Sequence, residues 1–261
     1  MDLPDYRYDP EAYELEEKSR PDEMMMIGEA AAEATRLLDA FPNAYGLDLC
    51  CGTGLSTECL VEHPNVVAVA AVDNCKQYLT FAQRKFKSEG DRIKFILSDA
   101  VDVSDVDLGR RDWDVIMLSS AYHHIEDSRK VAFLSRVRGL LGKDGRAVMA
   151  ENVLPIYLEG DEASYHGAVE TFYQEVLRTA RNQNPNLSRH VETLIERVAQ
   201  YGYDGDYEYK VCMPILSQHL TDANLEVSWK KRVWPKGLEL EEDSGNFVFT
   251  LKSIAAEDKL S

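Results

Sequence analysis

Short apolar runs alternate with longer amphipathic stretches along most of the chain. The runs are rich in Val, Ile, Leu and Ala and occupy residues 45–50, 66–72, 92–98, 113–119 and 145–153. The stretches between them place apolar side chains three or four positions apart, at residues 54–63, 75–89 and 128–141. Such runs predict buried strands, and such stretches predict helices. Their alternation is typical of βαβ units, so we expect a parallel sheet covered on both faces by helices.

The rhythm changes after the fifth run. Two long helical patterns, at 162–183 and 187–201, are separated by an Asn-Pro-Asn breaker and predict a helical cap inserted after the fifth strand. A helix at 214–223 and strands at 225–234 and 246–253 follow. Two strands so close in sequence form a hairpin, so the last strand should run antiparallel to its neighbours. The predicted fold class is α/β, a three-layer sandwich with a seven-stranded, mostly parallel sheet.

Composition and charge narrow the classes of function. The chain has 261 residues, 44% of them hydrophobic, which suffices for one large domain or for one domain carrying an insertion. It has 29 Lys and Arg against 46 Asp and Glu, a formal net charge of -17. This charge repels phosphate backbones, so no nucleic-acid partner is expected. No apolar run approaches the roughly 18 residues of a membrane span, and the acidic N-terminus is unlike a signal peptide. We expect no membrane partner and a cytoplasmic location.

Cysteine usage indicates neither disulfides nor a metal. The five cysteines are Cys50, Cys51, Cys59, Cys75 and Cys212. Their number is odd, and no pair of CxxC units is present. We therefore predict reduced thiols in the interior and no metal site.

A glycine-containing segment joins the first predicted strand to the first helix. It reads Leu-Asp-Leu-Cys-Cys-Gly-Thr-Gly from Leu47 to Gly54. An open α/β sheet binds nucleotide-like ligands at this junction, where glycines let the backbone pass close to the ligand. A dinucleotide fingerprint requires Gly or Ala where Thr57 stands, which disfavours an NAD-dependent dehydrogenase.

The segment resembles motif I of the class I S-adenosylmethionine-dependent methyltransferases. The usual motif has an acidic residue, an apolar residue and a Gly, and then Cys/Ser-Gly-Thr-Gly. Cys50 stands where the motif has its first Gly, and a side chain at a left-handed position costs about 1 kcal/mol or more. The resemblance covers about residues 44–155 well and 214–253 in outline. It implies a Rossmann-like fold with S-adenosylmethionine as cofactor.

The resemblance also assigns roles at the strand ends. Asp48 resembles the residue that holds the methionyl ammonium, directly or through water. Asp73, which is 25 residues later, is placed to accept hydrogen bonds from both ribose hydroxyls. Asp99 resembles the acceptor for the adenine amino group, and Ser119 lies where the sulfonium and the acceptor should meet. A single Asp at a strand end more often caps a helix or forms a turn, but three aspartates and a serine in the family's order, each after or within a predicted strand, favour cofactor binding. The complete expected cofactor set is Asp48, Cys50, Gly52, Thr53, Gly54, Asp73, Asn74, Asp99, Ala100 and Ser119.

The residues after the fourth strand indicate the class of acceptor. The stretch reads Ser-Ser-Ala-Tyr-His-His-Ile from Ser119 to Ile125. It lacks the Asn/Asp-Pro-Pro-Tyr/Phe of many methyltransferases that act on base or amide nitrogens. It looks like the His-His-Ile/Leu stretch of small-molecule methyltransferases of the ubiquinone and menaquinone type, in which one His faces the sheet and the other the pocket. The candidate catalytic bases are His123 and His124, because imidazole titrates near neutral pH. The alternative, given equal weight, is that one or both are structural.

The predicted insertion supplies further candidates for substrate binding. Tyr165, Phe172 and Tyr173 share one face of its first helix and suit a pocket roof, although such a stripe is more often helix-on-helix core. The residues expected to bind substrate are Tyr122, Tyr165, His166 and Tyr173. Aromatic side chains with nearby carboxylates suit a cationic amine, unless those carboxylates lie on a solvated face.

The chain is thus expected to comprise one core with additions. A helical cover occupies 1–40, with a loop followed by a helix at 23–40. The cofactor-binding core occupies 41–155, the helical cap 156–210, the final helix and hairpin 211–254, and a tail 255–261. The three adjacent methionines of the cover helix either shield the cofactor or, as we favour, pack on the sheet.

The favoured function is methyl transfer from S-adenosylmethionine to an O, N or C atom of a small-molecule acceptor. One alternative is a catalytically silent S-adenosylmethionine-binding partner subunit. Another is an enzyme that uses the same cofactor for a transfer other than of methyl. The oligomeric state is left open.

Overall fold

The sheet has seven strands in the order β3-β2-β1-β4-β5-β7-β6. The computed structural model describes residues 9–237 and 240–254. The strands are β1 Ala44–Leu49, β2 Val66–Asp73, β3 Ile93–Leu97, β4 Trp113–Ser119, β5 Leu141–Val153, β6 Leu225–Trp234 and β7 Gly245–Ser253. β7 pairs antiparallel with both β5 and β6, and the remaining pairs are parallel. The predicted Rossmann-like sandwich with an antiparallel last strand is confirmed. The predicted tail and the first eight residues of the predicted cover lie outside the described residues.

Helices cover both faces of the sheet. They are α1 Pro10–Ser19, α2 Pro21–Leu38, α3 Thr57–Glu62, α4 Lys76–Lys85, α5 Asp105–Leu108, α6 Lys130–Leu140, α7 Glu162–Gln183, α8 Arg189–Asp204 and α9 Met213–Asp222. Side chains of α6 and α9 share a buried cluster with one face of the sheet, and those of α2, α3 and α4 share another with the opposite face. None of the helices within the described residues is long and apolar enough to cross a membrane.

The N-terminal region contains two helices where the sequence predicted a loop and one helix. The Asp9 carboxylate caps α1 by accepting from the backbone N–H groups of Glu11 and Ala12 at 3.0 and 3.1 Å. Proline occupies the first helical position of both α1 and α2. The apolar pattern missed α1 because two of its three buried residues are the acids Glu16 and Glu17.

Three element boundaries differ from the prediction for local reasons. α3 begins at Thr57 instead of residue 54, because the preceding loop holds glycines with positive φ. β5 begins at Leu141, which pairs with Trp113. α8 continues to Asp204, beyond the predicted end at residue 201, and is capped by Gly205, which has φ 57°.

α2 packs on one face of the sheet, and its first turns reach the carboxyl edge, where Glu23 accepts the Ser120 hydroxyl and Ile27 lines a pocket with Ser119. Met26, Ala30 and Leu38 are fully buried in the cluster that includes residues of β4, β5 and β7. Of the three adjacent methionines, Met26 follows the packing alternative, Met25 is half-buried and Met24 is exposed. None of the five cysteines forms a disulfide with another described residue, but Cys50, Cys59 and Cys75 are only partly buried, against the expectation of a wholly interior set.

The helices between β5 and α9 form a cluster of their own. Val169 and Phe172 of α7 pack with Ile195 of α8, and the Phe172 ring meets the Trp234 ring at 5.6 Å between centroids. The aromatic stripe on α7 is thus mainly helix-on-helix core.

Candidate active site

The loop after β1 takes the conformation that its glycines predict. Gly52 has φ 53° and Gly54 has φ 84°. Cys50 adopts φ 61°, so it takes the left-handed conformation that Gly would adopt more readily. The loop is tied to β2, because the Cys51 N–H donates to the Val72 carbonyl at 2.9 Å. The departure from the motif at Cys50 therefore leaves the turn intact.

Asp73 anchors the same loop from the end of β2. Its carboxylate accepts from the backbone N–H of Gly52 at 2.8 Å and of Cys75 at 2.7 Å. Burial raises the pKa of Asp73, and these N–H donors partly oppose the rise. Asp73 lines a cavity of about 590 Å³, together with Cys50, Gly52 and Asn74.

Asp99 stands at the far end of this cavity, after β3. Its carboxylate accepts from Arg129 at 2.7 and 3.4 Å and from the Val101 N–H at 2.8 Å. Burial raises the pKa of Asp99, but the bonds from Arg129 and Val101 outweigh burial and lower it. The Asp99 carboxylate therefore stays ionised, and its hydrogen bonds fix its orientation. Ala100 lines the cavity beside it.

A small recess opens at the carboxyl ends of β1 and β4. Asp48, Thr53 and Ser119 line it, and the Asp48 carboxylate accepts the Thr57 hydroxyl at 2.7 Å. The hydroxyls of Thr53 and Ser119 are buried without a hydrogen-bond partner among the described residues. Burial raises the pKa of Asp48 to about 7. Two orphaned hydroxyls beside a carboxylate suit a zwitterionic amino-acid group, and the cavity beyond suits a nucleoside. The expected cofactor therefore fits the residues present.

Tyr13 of α1 covers this region. A Cβ added at Gly52 would lie 3.8 Å from the Tyr13 ring, and that ring meets the Tyr78 ring at 5.1 Å between centroids. Tyr13 lines the recess, the 590 Å³ cavity and a third, smaller space behind them. α1 therefore closes the cofactor region from above.

His123 is buried and bonded to the sheet. Its Nδ1 lies 2.5 Å from the Glu151 carboxylate of β5, and the same carboxylate accepts the His123 backbone N–H at 3.2 Å. A carboxylate at Nδ1 leaves Nε2 as the free lone pair, 3.8 Å from Glu208. Burial, with Lys210 nearby, lowers the pKa of His123 well below its ordinary value. His123 is therefore a neutral imidazole at pH 7.

His124 faces the cofactor cavity instead. Its Nδ1 donates to the Tyr207 carbonyl at 2.9 Å, which again leaves Nε2 as the acceptor. The imidazole is partly exposed and lies between the rings of His123 and Tyr207, tilted against both, at 4.1 and 4.3 Å between centroids. Of the two histidines, His124 is the one that lines the 590 Å³ cavity.

A buried ion pair lies behind the histidines. The Lys210 ammonium is 2.8 Å from the Glu208 carboxylate and donates to the Asn152 side chain at 3.0 Å. Burial raises the pKa of Glu208, but Lys210 and the histidines outweigh burial and lower it to about 2. His123, His124 and Glu208 place ligand-type atoms within 4.8 Å of one another, as in metal sites. Lys210 already supplies the cation there.

The third space is enclosed by charged side chains, and we call it the acidic chamber. It holds about 10 Å³, roughly one water molecule. Its charged lining comprises Glu16, Glu17, Arg20, Glu23, Glu208 and Lys210. Tyr13 and His124 line both the chamber and the cofactor cavity, so the two spaces are neighbours.

Two expected substrate-binding residues lie on the far side of the loop after β4. Tyr122 is fully buried, and its hydroxyl is 2.5 Å from His219 Nδ1 on α9. Tyr165 lines a separate cavity of about 370 Å³, where its ring meets that of Tyr157. His219 lines the same cavity.

The other two expected substrate-binding residues lie within the helical cluster. His166 donates from Nε2 to the Tyr203 carbonyl at 3.0 Å. Tyr173 is buried in the core of α7 and α8, and its hydroxyl has no hydrogen-bond partner among the described residues. The structure thus brings the predicted cofactor set and the two candidate histidines together. Tyr122, Tyr165 and His166 lie elsewhere, whereas the Tyr173 ring lies 5.9 Å from the Lys210 ammonium of the acidic chamber.

Several residues around the site were not predicted from the sequence. They are Tyr13, Glu16, Glu17, Arg20, Glu23, Arg129, Glu151, Asn152, Glu208 and Lys210. The capping Asp9 before Pro10 was the one local signal that pointed to α1. The others carry no recognisable spacing.

Comparison with known proteins found a family model that matches part of the core. A family model described as a methyltransferase domain matches residues 47–145. No curated protein matches the chain. The mitomycin 7-O-methyltransferase is structurally similar, with a TM-score of 0.55 and 14% identity, over 95% of this chain and 59% of its own. The chain thus spans about three fifths of that enzyme's length.

Two further solved structures are similar to this chain over most of their own length. An S-adenosylmethionine-dependent methyltransferase from Clostridium acetobutylicum is similar with a TM-score of 0.55 and 16% identity, over 92% of each chain. The 1,6-didemethyltoxoflavin-N1-methyltransferase of Burkholderia thailandensis, with bound S-adenosylhomocysteine, is similar with a TM-score of 0.50 and 19% identity, over 87% of this chain and 79% of its own. At these identities the likeness establishes the fold.

Proposed function

We propose that the chain uses S-adenosylmethionine to methylate an oxygen, nitrogen or carbon atom of a small molecule bound beneath its N-terminal helices, since residues 47–145 match a family model described as a methyltransferase domain. One observation carries the proposal. The cavity lined by Asp73 and Asp99 is also lined by His124 and by Tyr207 and Tyr209, which follow α8. A nucleoside on the two aspartates would thus share a single space with a candidate base.

The cofactor half of the site binds and orients. Asp99 is placed for the adenine amino group, Asp73 for the ribose hydroxyls, and Asp48 with Ser119 for the methionine end. S-adenosylmethionine supplies a methyl group already activated by its sulfonium. The protein therefore needs mainly to align the acceptor and exclude water, and Tyr13 on α1 is positioned for the second task.

His124 is the proposed general base. The acceptor atom gains the methyl group and loses a proton, and His124 Nε2 accepts that proton. Its Nδ1 bond to the Tyr207 carbonyl fixes the tautomer in which Nε2 carries the lone pair. His123 has the same tautomer but lies behind His124 against Glu151. We therefore assign His123 to positioning.

The toxoflavin and mitomycin enzymes, by their names, act on small organic molecules. The stretch after β4 lacks the motif of base-acting methyltransferases, and the net charge of -17 disfavours nucleic acid. Both observations support a small metabolite as the acceptor.

The test is incubation of the purified protein with methyl-deuterated S-adenosylmethionine and a deproteinised metabolite extract, read by mass spectrometry. A labelled small molecule is the expected result. Cofactor binding with neither label transfer nor S-adenosylhomocysteine formation would contradict the proposal and favour the silent binding subunit. If S-adenosylmethionine is consumed but no S-adenosylhomocysteine forms, transfer of a group other than methyl would be favoured.

A further inference from the structure

The acidic chamber contains more buried negative charge than its own residues balance. Arg20 is the partner of three carboxylates at once, those of Glu16, Asp22 and Glu23, at 3.3, 2.9 and 3.2 Å. The second cation, Lys210, is bonded to Glu208. Burying carboxylates beyond the number of available cations is unfavourable unless something positive joins them.

Glu17 is the carboxylate left over. It is 6% exposed and lines the chamber, and its Oε2 is buried without a hydrogen-bond partner among the described residues. The Tyr173 hydroxyl, in the helical cluster beside the chamber, is likewise buried and without a partner. Buried polar atoms without partners point to a missing ligand. Here the missing ligand would be a hydrogen-bond donor that carries positive charge.

The chamber also lies against the reacting end of the cofactor site. Glu23 accepts the hydroxyl of Ser120, which lines the methionine recess, and accepts from Asn152 of β5 at 3.2 Å. Tyr13 and His124 line both the chamber and the cofactor cavity, so the two spaces adjoin at these side chains. A group held in the chamber would thus be next to the proposed base.

We propose that the acceptor is a small amine whose ammonium group binds in the acidic chamber against Glu17. This inference rests on the proposed function, whose acceptor class it specifies. A space of about 10 Å³ admits a compact ammonium head and no larger group. The rest of the molecule would occupy the adjoining part of the 590 Å³ cavity.

Without the ligand, protonation of the buried carboxylates reduces the excess negative charge of the chamber. Burial raises the pKa of Glu16 to about 7 and raises that of Glu17 well above its ordinary value. An ammonium group would replace a proton on Glu17. A neutral or anionic group would not compensate the charge of the ionised carboxylates in the chamber.

The first experiment divides a metabolite extract by ion exchange into cationic, neutral and anionic fractions. Each fraction is incubated with the full chain and methyl-deuterated S-adenosylmethionine. Label in a cationic product alone is the expected result. Label in a neutral or anionic product overturns the amine inference and leaves the proposed function standing. No label and no S-adenosylhomocysteine from any fraction would instead count against the proposed function.

The second experiment compares Glu17→Gln with Glu11→Gln, an exposed acid on the same helix. For the labelled acceptor, Glu17→Gln should raise KM at least tenfold, and Glu11→Gln should leave it unchanged. Both variants should bind S-adenosylhomocysteine like the parent. Removal of a buried charge should not unfold the protein, and circular dichroism checks this. An unchanged KM for Glu17→Gln overturns the inference.

A third measurement does not need turnover. Thermal unfolding of the S-adenosylhomocysteine-saturated protein is followed with propylammonium chloride, and with 1-propanol at equal concentration and ionic strength. Propylammonium should raise Tm of the parent by more than it raises Tm of Glu17→Gln, and propanol should raise neither. An equal response of parent and variant, or no response to propylammonium, counts against the chamber as an ammonium site.

Discussion

The two halves of the site are built in different ways. The cofactor half uses strand ends that are close in sequence, and Gly52 bonds Asp73 across 21 positions. The acceptor half joins distant segments, since Glu23 contacts Asn152 across 129 positions and Ser120 across 97. The first half is therefore specified by one loop and its neighbouring strands. The second exists only when α1, α2 and the region after α8 pack over the sheet.

The halves also differ in how they treat charge. Asp99 in the cofactor half is directed by Arg129 and by backbone donors, so its carboxylate is balanced. In the acidic chamber Arg20 is shared among three carboxylates, and the Oε2 of Glu17 has no hydrogen-bond partner among the described residues. A site whose carboxylates are paired with cations or N–H donors keeps those carboxylates in a fixed orientation. A site with unpaired buried carboxylates instead strongly prefers a ligand of positive charge.

The largest effect is expected where the two halves meet, at His124. His124→Gln should lower kcat by about 100-fold, because a positioned base contributes on that order or more. Affinity for S-adenosylhomocysteine should be unchanged, as measured by calorimetry. His190→Gln, on the exposed face of α8, is the matched control. Equal loss of turnover and cofactor affinity would remove His124 from the role of base.

Asp73→Ala should weaken S-adenosylhomocysteine binding by about 100-fold. Two hydrogen bonds to a charged group contribute about 3 kcal/mol together, and the change also leaves the N–H groups of Gly52 and Cys75 without their acceptor. Asp91→Ala, at an exposed aspartate before β3, should bind normally. If titration calorimetry gives the same Kd for both variants, the cofactor half has been placed wrongly.

Gly54→Ala should destabilise the fold by about 2 kcal/mol. Gly54 has φ 84°, and an added Cβ would lie 2.5 Å from Cε2 of the Phe86 ring. Gly139→Ala is the matched control, because nothing lies within 4 Å of a Cβ in that position on α6. The control should be stabilised by about 0.5 kcal/mol. Urea denaturation measures both, and similar midpoints would show that the loop tolerates a side chain.

Cofactor affinity should depend on pH through Asp48. Burial raises the pKa of Asp48 to about 7, and a bound ammonium prefers the ionised carboxylate. Affinity for S-adenosylhomocysteine should therefore fall by about tenfold per pH unit below pH 7. Asp48→Asn should abolish most of this slope in calorimetry from pH 5.5 to 8.

The free energy of unfolding of the unliganded protein should fall as pH rises, opposite to the cofactor affinity, because the pKa of Asp48 is raised in the folded state. The folded pKa of Asp48 is raised from its ordinary value of 3.8 to about 7, so its contribution to stability is complete below pH 3.8 and is lost as pH rises from 3.8 through about 7. Asp48→Asn should reduce the difference in urea midpoint between pH 5 and pH 8. An unchanged difference would show that Asp48 is not the group responsible.

The sequence by itself determined the sheet and the cofactor half. Alternating apolar runs fix strands and helices because each element must bury one face, and the Asp48 to Gly54 segment fixes a loop whose backbone only a few residue types adopt. Cys50 was the one departure from that pattern, and it takes the left-handed turn regardless. Asp73 and Asp99 followed from their places at strand ends, where a parallel sheet brings carboxyl ends together.

Only the tertiary structure decided the acceptor half. α1 escaped prediction because it buries Glu16 and Glu17, and a periodicity of apolar residues cannot reveal a buried acidic face. Glu151 and Lys210 have no distinctive sequence context, since their partners, His123 and Asn152, lie 28 and 58 positions away. Their roles come from long-range packing that brings unlike charges together. Local patterns specify which elements form, and the packing of distant elements specifies which charges meet.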